Sequence, residues 1–174
     1  MLVTFLSIFL AVLAVVNVGA IFYFERNRLG FAWDIYSSIR WHMLPMTIVF
    51  LTALFVAVPF MAHVEEQLFR EGVTEWRRIV PRSIAFGLVH CIVGIPLAAG
   101  LALSISGLYY GWRYKQAYAA QIAKIRGVKN WDQALDAFIV ARTEAVLVST
   151  TYHTLWNALL VGIMLFGAVL MALR

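Results

Sequence analysis

Four apolar runs separated by polar connections set the pattern of this chain, at residues 2–24, 42–62, 83–112 and 145–173. A helix crossing the hydrocarbon core of a membrane takes about 20 largely apolar residues, and each run reaches that length. The pattern predicts an all-α fold: a polytopic transmembrane helix bundle of about four spans plus an amphipathic interfacial segment. Residues 1–24 lack the basic start and small-residue cleavage site of a secretory leader, so they are expected to form a retained N-terminal transmembrane anchor helix. Residues 42–174 are expected to form the core, with a basic interfacial loop at 113–142.

Breaks in the pattern refine these elements. Pro45 suits a first helical turn, whereas Pro59 should kink or restart the second run shortly before Glu65. Residues 64–82 are amphipathic, with charged residues set among apolar ones, and Pro81 is expected to open the next helix. The run at 83–112 holds Gly87, Gly94, Gly100, Gly107 and Gly111, with Pro96 as a kink. Gly107 and Gly111 have the spacing of close helix packing. In the basic loop, Tyr114, Tyr118, Ile122 and Ile125 recur at helical spacing, as in a helix lying on a membrane surface. Gly127 should end that helix, and Asn130 with Gln133 should cap a second short one. The last run is interrupted by Ser149, Thr150, Thr151, His153 and Asn157 in its first half.

Composition agrees with a membrane setting. Of the 174 residues, 63% are hydrophobic and 13% charged, outside the usual range of soluble domains. The net charge of +5 is spread between the apolar runs, which suits lipid headgroups and argues against a nucleic-acid partner, since that would need a clustered basic face. Nine lysines and arginines fall in the first and third connections against five in the second connection and tail, which places both termini outside the cytoplasm. The single cysteine, Cys91, excludes an internal disulfide and reads as a small buried filler.

Against this background the ionisable and amide side chains near the apolar runs stand out, because such groups are costly at membrane depth and usually face partners or serve function. Glu65 and Glu66 come shortly after the second run, with Arg70 one turn beyond Glu66, so that Glu66 and Arg70 can pair while Glu65 faces about 100° away. Phe86 and His90 are likewise four apart, as are His153 and Asn157. A carboxylate, two imidazoles and an amide from three helices are thereby able to converge inside a bundle.

These segments, EEQLFR at 65–70, FGLVH at 86–90 and HTLWN at 153–157, resemble in order the three motifs of the CPBP family of intramembrane proteases. That family includes the type II CAAX prenyl endopeptidases and bacterial relatives linked to bacteriocin processing and immunity. The resemblance covers roughly residues 58–160. It implies a glutamic-type intramembrane endopeptidase in the plasma (inner) membrane of a prokaryote, acting on a membrane-embedded or membrane-anchored peptide. By position, Glu65 would activate water as general base and His90 would help position it, while His153 and Asn157 would donate hydrogen bonds to the oxyanion. Glu66, Arg70 and Phe86 would support them. The chemistry stands by itself: peptide hydrolysis needs a base for water and donors where negative charge develops. The chain departs from the family in carrying Glu71 between Arg70 and Gly72, and in its long basic stretch between the second and third motifs.

Other readings of the same residues remain open. His63, Glu66, His90 and His153 offer a zinc alternative, but no H-E-x-x-H spacing is present, so no metal or other cofactor is expected. His42 and His63 read as interfacial, and Tyr109, Tyr110 and Trp112 as belt and packing residues. A non-catalytic immunity or assembly factor on the same scaffold is the main rival, and a proton pathway a weaker one. Membrane lipid is an expected partner, and a homo-oligomer stays open.

Overall fold

The computed structural model describes residues 44–93, 95, 97–125 and 131–173. The expected anchor at 2–24, the first connection at 25–41 and His42 at the start of the second run lie outside the described residues. Among the described residues the chain is helical, without strands. Four helices follow one another: α1 (Leu44–Arg70), α2 (Trp76–Val89), α3 (Leu97–Lys124) and α4 (Trp131–Ala172), with a 3₁₀ turn at His90–Val93 after α2. Two of them, α1 and α4, are long and apolar enough to cross a membrane.

The helices divide differently from expectation. Pro59 lies inside α1 without ending it, so Glu65 and Glu66 continue the helix that carries the second apolar run. Proline removes one backbone bond, to the carbonyl of Phe55, yet apolar helices tolerate this where neighbours hold the segment. Val58 and Ala62, on either side of Pro59, are both buried. The amphipathic stretch at 64–82 is divided by a turn: α1 stops at Arg70, the Val73 amide donates to the Arg70 carbonyl at 2.9 Å, and Gly72 takes φ 73°. That left-handed conformation suits glycine, the usual residue just beyond a helix C-terminus. Pro81 falls within α2 and does not open it.

The uncharged run at 83–112 is not one continuous helix. Its first part belongs to α2 and its last part to α3, with the 3₁₀ turn following Val89. Pro96, expected as a kink, lies outside the described residues. The basic segment expected on the membrane surface is the second half of α3 itself. The expected second short helix is the beginning of α4, whose 42 residues span about 63 Å, roughly twice a hydrocarbon core.

The described residues form two compact units, one containing Trp76–Tyr109 and the other Ile39–Glu75 with Tyr110–Arg174. In the second unit α1 packs antiparallel along α4: Phe55 reaches Gly162, His63 reaches Thr150, and Glu71 reaches Arg142. The α1 core stripe runs through Leu44, Leu51, Val58 and Ala62 at intervals of seven and four, one helical face. Val161 and Ala168 of α4 share the core with the first three of these. The same stripe continues to Glu66 and Arg70, so helical register buries this pair. The other faces are apolar and exposed, as at Met46, Val49, Val56 and Phe60 on α1 and Ile163 and Phe166 on α4.

In the first unit α2 and α3 meet through small residues. A Cβ placed on Gly87 would collide with the Gly100 carbonyl and with Ser104. Ser104 hydroxyl contacts reach Gly100 O at 3.1 Å and Ile84 O at 3.4 Å. The close contact therefore uses Gly87 and Gly100. Gly107 of this unit is buried as well.

Candidate active site

The α1–α4 pairing sets acidic residues from the end of α1 against the polar first half of α4. Glu66 is 0% exposed and sits between two donors. The Ser149 hydroxyl donates to its Oε2 at 2.7 Å, and His153 Nδ1 meets its Oε1 at 2.9 Å. Ser149 and His153 are four apart, so both project from one face of α4. Arg70, 1% exposed, holds its Nε 3.8 Å from Glu66 Oε2, making the expected ion pair the longer of the Glu66 contacts. Such a cluster is stable in an apolar setting only when charges and donors are matched, and Glu66 has all three kinds of partner.

Glu65 occupies a different position. Its side chain is 22% exposed, and its Oε2 lies 3.4 Å from His153 Nε2. The imidazole of His153 is thus bracketed by two carboxylates, one on each ring nitrogen. Glu66, His153 and Glu65 lie in a row, with the Glu66 contact the shorter. Tyr110 of α3 covers a face of the ring, stacked at 4.5 Å between centroids and 18° between planes.

Asn157 lies one turn after His153 and is half-buried. His90 and Phe86 belong to the other unit. There, His90 Nδ1 donates to the Phe86 carbonyl at 2.7 Å, and the rings meet edge to face at 5.0 Å. A carbonyl can only accept, so in the neutral ring the lone pair resides on Nε2. Among the described residues no group of three His, Cys, Asp or Glu side chains is arranged to hold a metal ion. His63 contacts Thr150 Oγ1 at 3.4 Å.

The structure brings together Glu65, Glu66, Arg70 and His153 of the sequence-predicted set, and separately Phe86 with His90. Sequence reasoning missed Ser149 and Tyr110. Ser149 had a signal, lying one turn before His153 among the few polar residues of an apolar run. Tyr110 had none: it was read as a packing residue, but it is buried against the site histidine.

The turn leaving this segment is held from both flanks. The Gly72 amide donates to the Tyr114 hydroxyl at 2.8 Å, and Arg142 pairs with Glu71 at 3.1 Å. Compared with models of known protein families, with curated proteins and with solved structures, the chain matches none.

Proposed function

We propose that this protein is an intramembrane endopeptidase of the glutamic type, hydrolysing a peptide bond of a membrane-associated protein or peptide. The observation that carries the proposal is Glu65: a partly exposed carboxylate beside a buried, carboxylate-bracketed histidine, on a helix apolar enough to cross a membrane. The resemblance of the three motifs supplies the reaction class. In this reading Glu65 takes a proton from water as the water attacks the carbonyl, and His153 Nε2 is its neighbouring proton partner. Asn157 donates to the oxyanion; His153, given the same role by the motif resemblance, is taken here as the proton partner because both its nitrogens face carboxylates. His90 is assigned to positioning water from the motif resemblance. The reading gives no role to a metal or cofactor.

The exposed apolar faces of α1 and α4 support lipid as the surrounding solvent, because contiguous apolar surface of this kind is rare on soluble monomers. The reading extends this to a four-span protein of a prokaryotic inner membrane.

A second reading, a non-catalytic immunity or assembly factor, is favoured by the engagement of both His153 nitrogens with carboxylates. That arrangement must open before His153 can act as an oxyanion donor. Comparison of membrane peptides from cells expressing the native chain or Glu65→Gln separates the two readings. Endopeptidase function predicts an uncut membrane peptide that accumulates with Glu65→Gln; the scaffold reading predicts identical peptides and intact cellular function.

A further inference from the structure

The Glu66 carboxylate has two oxygens, and each faces a different donor from adjacent turns of α4. Ser149 Oγ lies 2.7 Å from Oε2 and His153 Nδ1 2.9 Å from Oε1. A carboxylate held at one oxygen can still rotate about its last torsion; held at both, it is fixed in plane. The Ser149 hydroxyl also lies 3.3 Å from the Val146 carbonyl, a longer contact than that to Glu66. The three groups in this chain, Ser149, Glu66 and His153, are all buried, so water competes little for these bonds. Tyr110 stacked on the imidazole holds the ring plane, leaving the position of the proton to be set by the groups at its two nitrogens.

We propose that Ser149 is a positioning residue: it orients Glu66, which keeps a proton on His153 Nδ1 and turns Nε2 toward Glu65. The relay Ser149–Glu66–His153–Glu65 deepens the peptidase reading and rests on it only for its catalytic meaning. Its structural part stands on the contacts themselves. Neither Ser149 nor Glu66 touches substrate in this scheme. Both act through His153.

The chain has four histidines, so ¹⁵N-histidine NMR of the purified full-length protein in detergent reads the ring of His153 directly. The native protein should show Nδ1 protonated. Ser149→Ala should mix the tautomers of His153 and lower kcat roughly tenfold, the scale of one hydrogen bond to a charged group, with KM within about twofold of native. Ser149→Thr, which keeps the hydroxyl, should restore both. Should Ser149→Ala fail to fold, Glu66→Gln keeps the shape of the site while presenting an amide, and should move the proton to Nε2 where the amide NH₂ faces Nδ1. Unchanged His153 signals in the folded Ser149→Ala protein, or in Glu66→Gln if the alanine variant does not fold, would overturn the relay. If the ring signals respond but native protein cleaves nothing, the relay stands and the peptidase reading falls.

Discussion

The two units solve the same problem, bringing helices close, by opposite means. In the Trp76–Tyr109 unit, contact comes from missing side chains: Gly87 lies against the Gly100 backbone, and a single Cβ would collide. In the other unit, contact comes from matched polar groups, with Glu66 of α1 accepting from Ser149 and His153 of α4. The first solution is steric and tolerates no added atom. The second is electrostatic and tolerates no lost partner. A chain that keeps buried charges where alanine or leucine would pack retains them for chemistry or for specificity, since ionic burial by itself is poor stabilisation.

This contrast predicts which substitutions hurt most. Removing Glu66 as Glu66→Ala takes the carboxylate from beside buried Arg70 and His153, and should destabilise by about 3–5 kcal/mol. Denaturation in detergent measures it, and a loss comparable to an ordinary surface change would break the electrostatic half of the comparison. Gly87→Ala should cost about 1–3 kcal/mol through overpacking, and Gly87→Leu more. A Gly87→Ala protein as stable as native would break the steric half.

Smaller effects sharpen the picture at the turn after α1. Gly72 has φ 73°, so Gly72→Ala should cost about 1–2 kcal/mol from the left-handed backbone, read in the same denaturation experiment. Tyr114, which accepts from the Gly72 amide, is affected by pH. Burial pushes its hydroxyl above the ordinary value of 10.0, the largest influence on it, while the Gly72 hydrogen bond acts in the opposite direction. The unfolded tyrosine therefore ionises first as pH rises. The contribution of neutral Tyr114 is fully present below about pH 10 and is lost as pH climbs toward the raised folded value. Stability measured from pH 9 upward should fall, and Tyr114→Phe should reduce that fall.

The spacing of residues along single helices was legible in the sequence; the partners across helices were not. Glu66 with Arg70 and Phe86 with His90 follow from four-residue spacing, and both pairs are present. Spacing cannot say which helix lies opposite, so Ser149 stands out only as an interruption and Tyr110 only as a belt or packing aromatic. The apolar runs at 42–62 and 145–173 reappear within α1 and α4, because length and apolarity suffice to mark them. Pro81 does not open a helix and Pro59 does not restart one, because in both places the helix continues around the ring. The long run at 83–112 misled in the other direction, since absence of charge does not guarantee a continuous helix. Legibility was greatest for Glu65, Glu66, Arg70 and His153, where motif, register and contact meet.

The proposed peptidase depends on Glu65 as the group that activates water. Its direct test is single-turnover hydrolysis of a peptide cut by the native protein, using native and Glu65→Gln proteins purified in lipid and matched for folding. Glutamine keeps the shape and removes the base, so cleavage should fall by at least about 10²-fold, the lower end of a lost general base, with the fold unchanged. Cleavage by Glu65→Gln at the native rate would contradict the account.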